Sequence, residues 1–537
     1  MDGRRLCGDL PPASAGDPAL SEPAVASRSS PILLVIAIAA AVRLGYAALG
    51  FPDYWGDAYH NWLISRLTLE HHWVYSDYKG REVVWEPLFR YLSTLAMYLT
   101  GRADMLPGRL VSWVAGSLGC GATAALAARL TGSPRWGQLA GLIQAVTPWH
   151  VAYSWMYMPE TTASLIFTLI LLLIVSERLP WGLPGLAGLG VLARHDVTVL
   201  LVLTTGWLLA TRRFRPAWLI LGGVAAGMGG WCLWTWHVTG DPLWWLIERT
   251  STSASDAAFW VKAGARPSPS VFTLPLTVLQ VFAPVLVIAA AAGYGLRDGE
   301  WRRSVVAGPR GLIVFLVLAF LPIIGVMQIR FFPYPDPRYL LETVSLMSVL
   351  AAVTIRFLPD AKARRASVWA AAVVAVLSLV VQVPGFAFRP YTIARERAAG
   401  EQLATVAPAA GMLWVDAPVA IYHSGIAPDR FVSDEQMVPM ARTNLPAALD
   451  AAFAAIAQRD IRLIYWDNVP YSLVPQIWPQ MADGRPFEMR GVRFDPVYRY
   501  DSWVRAAGDP SLAHLVRERI EHNYGPVTLW SVTRATS

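Results

Sequence analysis

Charge is what this chain lacks. Only 15% of its 537 residues are Asp, Glu, Lys or Arg, against roughly 25% in soluble proteins. So few charges cannot keep the surface of so long a chain in water. That excludes a wholly soluble enzyme, and the 55% hydrophobic share excludes a disordered protein. Cysteine is scarce as well, with Cys7, Cys120 and Cys232 the full set. Two lie in apolar runs and one in a polar leader, so neither a disulfide framework nor a metal-binding spacing is present. No repeat recurs at a period of about 20–50 residues. What is abundant is long apolar runs, and they predict a polytopic α-helical membrane protein. The net charge of +7 fits basic cytoplasmic loops, and nucleic acid is not an expected partner.

Residues 1–30, rich in Pro, Ala, Ser and Asp, read as a disordered cytoplasmic tail. The apolar run after it, Pro31 to Gly50, reads as a retained signal anchor rather than a cleaved signal peptide, because its polar lead is long and Arg43 interrupts it. Further spans read at 107–128, 136–152, 159–175, 182–193, 197–211, 217–237, 273–296, 311–329, 339–355 and 366–386, which makes 11 with the first. The pair 182–193 and 197–211 has one long helix as its alternative, and that would flip everything downstream. With two short spans, the inside loops 212–215, 297–310 and 356–365 carry 11 Lys and Arg, against 5 in the outside stretches 239–272 and 330–338. The positive-inside rule favours two. The N-terminus is then cytoplasmic and the C-terminus outside the plasma (inner) membrane.

Two segments are too polar to span. Residues 51–106 form a large first outside loop with helices at 58–70 and 86–100, both expected to lie flat on the membrane among interfacial Trp and Tyr. Residues 387–537 carry strands at Met412–Ala420 and Ile461–Asp467 around a helix at Leu445–Gln458. That order predicts a small extracytoplasmic α/β domain, beyond the transmembrane domain of residues 31–386.

The chemistry-bearing residues gather on the outer face of this topology. Asp57 follows the first span in an aromatic setting and suits a general base, or else a helix N-cap. His60 stands one turn on. Glu160 follows Pro159 at the start of a span, where a first-turn acid also suits the helix dipole. Arg194, His195 and Asp196 sit at the break between the two short spans, where ionisable groups mark function or close a hairpin as an ion pair. Arg338 and Tyr339 enter the tenth span from outside, and Arg338 suits a bidentate phosphate contact or a snorkelling role. His237 precedes the turn Gly240-Asp241-Pro242. The cytoplasmic loops hold mostly Arg, so the active face is expected outside.

These motifs, in this order, resemble the GT-C superfamily of membrane glycosyltransferases, which use polyprenyl-phosphate-linked sugars. It includes protein O-mannosyltransferases, the aminoarabinose transferase of lipid A and arabinofuranosyltransferases. Gly56-Asp57-Ala58-Tyr59 is similar to the family's D-[DEA]-x-Y in the first outside loop, and Trp85-Glu86-Pro87-Leu88 to its Pro-Leu entry to a flat helix, without the common H-P-P-L form. Tyr153–Glu160, Leu192–Asp196, Gly240–Leu243 and Pro337–Leu341 resemble further family stretches, so the resemblance spans roughly residues 31–386. The oligosaccharyltransferase motif W-W-D-Y-G has only Tyr465-Trp466-Asp467-Asn468 as a partial counterpart.

The resemblance implies a GT-C transmembrane domain and inverting transfer of a sugar to an acceptor hydroxyl on the extracytoplasmic face. The acceptor is a glycan, a lipid or a protein. A polyprenyl phosphate leaves without an acid's help but needs cations, and the acceptor needs a base. Asp57 is the expected base, and Glu160 the helper toward the acceptor or a divalent cation. Arg194, His195, Asp196, Arg338 and Tyr339 are the expected substrate and phosphate ligands, with Lys79, Arg81, His60 and His237 behind them. Membrane lipid is a further expected partner. The rivals are an oligosaccharyltransferase-like enzyme of the same superfamily, and a lipid or sugar transporter.

Overall fold

The computed structural model describes residues 30–51, 53–72, 85–177, 181–247, 273–331, 337–386, 393–433, 444–467, 472–500 and 526–534. The expected tail 1–30 lies outside the described residues except for Ser30, which opens the first helix. Helices α1 (Ser30–Ala48), α2 (Gly56–His71), α3 (Leu88–Thr100), α4 (Leu106–Thr131), α5 (Pro134–Ala145), α6 (Pro148–Tyr153), α7 (Glu160–Ser176) and α8 (Gly182–Ala193) come first. They are followed by α9 (His195–Ala210), α10 (Phe214–Thr239), α11 (Thr273–Val281), α12 (Val285–Gly295), α13 (Gly299–Val306), α14 (Pro309–Phe331), α15 (Leu341–Arg356) and α16 (Ala361–Phe386).

Every expected span coincides with helix, but not always with one straight crossing. Among the described residues six helices are long and apolar enough to cross a membrane: α1, α4, α10, α14, α15 with its short lead from Pro337, and α16. The α11–α12 pair would make seven, and it bends by 107°. The bend falls at Phe282–Pro284, where proline ends a helix. Gln382 Nε2 donates to the Gln280 carbonyl at 2.8 Å, close to the break, so a backbone acceptor there is met by protein. The expected span 136–152 is two helices, since Pro148 starts α6 anew after a break at Val146 and Thr147. The α8–α9 boundary is a true break, with Arg194 extended at φ −164° and ψ 142°, so one continuous helix through Arg194-His195-Asp196 is not what forms. Helices α8 and α10 touch backbone to backbone: a Cβ on Gly227 would lie 2.7 Å from the Gly188 carbonyl oxygen, and small residues permit that approach.

The two helices expected to lie flat on the membrane in the loop 51–106 differ in their burial. Helix α2 buries Ala58, Tyr59 and Asn61 to Ser65, so its first two turns are packed in protein rather than laid on a surface. Helix α3 is amphipathic: Phe89, Arg90, Ser93 and Met97 face inward, whereas Leu95, Tyr98 and Leu99 are exposed. Arg90, which argues against a span, is buried and donates from Nε to Asn61 Oδ1 at 3.0 Å.

Beyond α16 the chain forms α17 (Ala394–Val406), β1 (Met412–Trp414), α18 (Pro418–Ser424), β2 (Phe431–Val432), α19 (Leu445–Gln458), β3 (Ile461–Trp466), β4 (Phe487–Met489), β5 (Val492–Tyr500) and β6 (Val527–Arg534). The sheet has the order β2-β1-β3-β6-β5-β4. Its first three strands are parallel and β3, β6, β5 and β4 are antiparallel neighbours. The helix at 445–458 falls where expected, but the strand expected over Met412–Ala420 stops at Trp414 because Pro418 opens α18. Alternation splits the sheet between two cores. Trp414, Ile464, Trp466 and Trp530 pack with α19 residues Ala448, Ala452 and Ile456. Leu413, Leu463, Tyr465 and Leu529 join Leu403, Ala420 and Ile421 in the core that continues into the membrane helices. Tyr422 on α18 meets Trp62 of α2 edge-on, with ring centroids 4.8 Å apart. The expected boundary at residue 387 lies outside the described residues.

Candidate active site

The base of the site is set by Asp53, which follows α1. It is 1% exposed. Its Oδ1 accepts the Tyr157 backbone N–H at 3.0 Å and its Oδ2 accepts Arg109 Nε at 2.9 Å. The start of the first loop is thereby tied to α4 and to the segment that enters α7. The Tyr59 hydroxyl donates to the Asp53 carbonyl at 3.1 Å, and burial, with the Asp53 charge second, holds that hydroxyl above its ordinary range.

Asp57 is the second residue of α2. The residue at the N-cap position is Trp55 and no side chain caps the helix, so the capping alternative falls. Asp57 Oδ2 instead accepts a charge-assisted hydrogen bond from Arg338, 281 residues away in sequence. Arg338 NH2 donates to the Tyr339 hydroxyl at 3.1 Å. Its guanidinium lies over the Tyr339 ring at 5.0 Å and the Trp55 ring at 5.6 Å, contacts that fix the plane of the fork. Both members of the pair keep some solvent access, 14% for Arg338 and 28% for Asp57.

Beneath it lies a second ionic group. Arg194 NH1 donates to Glu160 Oε1 at 2.8 Å, and NH2 to Asp196 Oδ2 at 2.6 Å. Arg194 Nε also stands 2.9 Å from Glu342 Oε1. Its single N–H points to Asp196, so the Glu342 contact is ionic without a hydrogen bond. The Arg194 side chain is 6% exposed and both glutamates are 0%. Its guanidinium lies 5.8 Å from the Tyr339 ring, which therefore sits against both arginines. His195 joins the group to the first loop: its backbone N–H donates to Glu86 Oε1 at 2.9 Å, its Nδ1 is 3.1 Å from the same oxygen, and its Nε2 is 3.0 Å from Asp196 Oδ1.

Asp57, Glu160, Arg194, His195, Asp196, Arg338 and Tyr339 thus meet from four separate stretches of chain. Two expected residues take different places. His60 packs its ring against Trp85 at 5.7 Å. His237, exposed at the end of α10, tilts against Trp234 at 6.0 Å and shares no hydrogen bond or ion pair with the described residues of the group. The turn after it is an ordinary one, with Asp241 Oδ1 accepting Leu243 N at 2.8 Å. Lys79 and Arg81 lie outside the described residues. Arg194, expected to hold phosphate, is enclosed by carboxylates instead.

Sequence reasoning missed Glu342, Glu86 as an anchor, and the Asp53–Arg109 tie. Glu342 had a signal: it is an acid inside an apolar span, directly after Pro337–Leu341. Glu86 had only its place in the stretch Trp85–Leu88, and Asp53 had no signal, being an acid in a polar loop.

Two solved structures of membrane glycosyltransferases share this architecture. ArnT from Cupriavidus metallidurans bound to undecaprenyl phosphate aligns with a TM-score of 0.53 at 16% identity, over 85% of this chain and 95% of that one. The Archaeoglobus fulgidus oligosaccharyltransferase in the apo form aligns with a TM-score of 0.52 at 11% identity, over 82% of this chain and 69% of that one. The fold is that of the GT-C membrane glycosyltransferases. No protein-family model matches the sequence, and no curated protein matches it.

Among the described residues of this GT-C fold, no arrangement fits a divalent cation. No group of three or more His, Cys, Asp or Glu among the described residues is arranged to hold a metal ion. Where Glu160, Asp196 and Glu342 converge, the Arg194 guanidinium fills the place a cation would take.

Proposed function

We propose that this protein is an inverting glycosyltransferase that moves a sugar from a polyprenyl monophosphate to an acceptor hydroxyl at the extracytoplasmic face of the plasma (inner) membrane. The observation that carries the reading is the Arg338–Asp57 pair on a GT-C fold: a guanidinium fork suited to phosphate beside a carboxylate suited to deprotonating a hydroxyl. Asp57 accepts the acceptor's proton. Arg338, steadied by Trp55 and Tyr339, takes the charge that develops on the leaving phosphate. Attack from the face opposite the phosphate inverts the anomeric centre. Glu160 does not touch substrate, because its carboxylate is buried on Arg194. Its role is to hold the floor on which Arg338 and Tyr339 rest.

Support for the donor comes from the undecaprenyl phosphate bound by the similar ArnT. Support for the orientation, with residues 387–537 outside, comes from the excess of Lys and Arg in the loops opposite the site. The test is transfer of radiolabelled sugar from polyprenyl phosphate to extracted envelope acceptors by the purified protein in lipid nanodiscs. Label appearing in an acceptor supports the reading. With the protein reconstituted in sealed vesicles instead, label crossing the bilayer without a new glycosidic bond would make it a transporter. A cytoplasm-dependent reporter fused after Ser537 should be silent, and activity there overturns the topology.

A further inference from the structure

Asp57 and Arg338 are assigned opposite partners in the reaction, yet in the substrate-free protein they hold each other. Arg338 cannot give the same N–H to a carboxylate and to a phosphate. The two sides of the pair are also anchored unequally. Arg338 is braced by two aromatic rings and by the Tyr339 hydroxyl. Asp57 has no other hydrogen-bond partner among the described residues, and it stands in the first turn of α2, where its side chain swings without disturbing a cap. When the pair opens, the arginine stays and the aspartate moves.

We infer that the Arg338–Asp57 pair is a lock that the lipid donor's phosphate opens, so that Asp57 becomes available as the base only after the donor is bound. The inference rests on the function proposed above and adds an order of events to it. The donor's phosphodiester equals the carboxylate in charge, its two free oxygens fit the guanidinium fork, and the attached lipid and sugar add binding of their own, so it displaces Asp57 from Arg338. Asp57 has then lost the cation that held its charge, and the proton of the acceptor hydroxyl replaces that cation. The acceptor O–H bond breaks as its proton passes to Asp57. The acceptor oxygen forms a bond to the anomeric carbon, and the bond from that carbon to the phosphate oxygen breaks, leaving its electron pair on the phosphate. Asp57 ends neutral beside a phosphate that carries the extra negative charge. When the polyprenyl phosphate departs, Asp57 releases its proton to solvent and Arg338 closes on it again. An acceptor arriving first meets a carboxylate already occupied.

The lock is tested by equilibrium binding of undecaprenyl phosphate to the full-length protein in nanodiscs, through a double-mutant cycle. Because Asp57 competes for Arg338, Asp57→Asn should tighten binding by about threefold to tenfold, the range of a partly exposed ion pair. In an Arg338→Gln background the competition is gone, and adding Asp57→Asn should change affinity by less than about twofold. Simple repulsion between Asp57 and the phosphate would tighten binding in both backgrounds, and that result overturns the lock. Unchanged affinity in Asp57→Asn overturns it as well. If the wild-type protein does not bind undecaprenyl phosphate at all, the donor assignment itself fails and the lock falls with it. Melting temperatures of the four proteins, measured alongside, should agree within a few degrees, because the pair lies at the rim and not in the core.

Discussion

Arg194 and Arg338 stand on one face of the molecule and share the Tyr339 ring, yet they are built for opposite purposes. Arg194 is 6% exposed and faces Glu160, Asp196 and Glu342 from three separate elements. Arg338 is 14% exposed and faces Asp57, a carboxylate that is itself 28% exposed. A cation that leaves a buried group strands acids in a low-dielectric interior, which costs several kcal/mol. A cation at a wet rim exchanges one anion for another at little net cost. Arg194 therefore ties α7, the α8–α9 break and α15 together, and Arg338 is the arginine proposed to exchange its partner for the donor's phosphate. Residue type alone does not separate the two, whereas burial does.

The sharpest way to break this comparison is at Asp57. Asp57→Asn should lower transfer by about 10²–10⁴-fold, the usual cost of losing a general base, while melting stays unchanged because Asp57 caps nothing. Turnover near wild type in a folded Asp57→Asn protein would remove it from the mechanism. The next largest effect falls on folding. Arg194→Met should destabilise the protein by about 3–5 kcal/mol, the cost of breaking a buried ion pair from one side, read as a lower melting temperature and reduced yield. An Arg194→Met protein that melts normally yet no longer binds undecaprenyl phosphate would return Arg194 to the phosphate ligands and erase the distinction. A smaller effect belongs to Arg338. Arg338→Ala should weaken donor binding by about tenfold or more, and Arg338→Lys by less, because lysine keeps the charge but loses the planar fork. Equal, near-wild-type affinities in both variants would leave Arg338 as a snorkelling residue.

The architecture was legible where the code is collective. Apolar runs announce membrane helices whatever their neighbours, and each expected span was found as helix. The site was legible to the extent that topology put its motifs on one face, and Asp57, Arg338, Arg194 and Glu160 do meet. What sequence could not show is which charge faces which. Asp57 pairs across 281 positions with Arg338, and nothing local in either motif announces the other. The packing of α2 was hidden for a related reason. Its aromatic-rich sequence suits an interface, but α3 covers part of it and α18, more than 340 residues further on, covers another part. Glu342 was visible as an acid in an apolar run, yet it lies one position beyond the motif Pro337–Leu341.

The smallest effect concerns the contact between the C-terminal domain and the first loop, and it separates two groups with opposite signs. His423 on α18 sits 3.4 Å from the Tyr59 hydroxyl. Burial, then the nearby Arg397 charge, lowers its pKa from 6.5 to about 4. Between these values the unfolded chain binds a proton that the folded protein refuses, so this contribution is present above pH 6.5 and is lost as pH falls toward 4. Glu396 on α17 behaves the other way. Burial raises it from 4.5 to about 7, against the pull of Arg395. Over that range the folded protein holds the proton, so its contribution is present below pH 4.5 and is lost as pH rises toward 7. The two nearly offset in the wild-type protein, and melting should vary little between about pH 4.5 and 6.5 on their account. Each single variant exposes the other group. Glu396→Gln should melt progressively lower as pH falls through this window. His423→Gln should melt progressively lower as pH rises. The His423 slope should be the shallower, since its ring is partly open to solvent, which screens the effect. Parallel melting profiles for the two variants would show that neither group couples folding to pH, and that the α18–α2 contact is held by the Tyr422, Trp62 and Tyr59 rings alone.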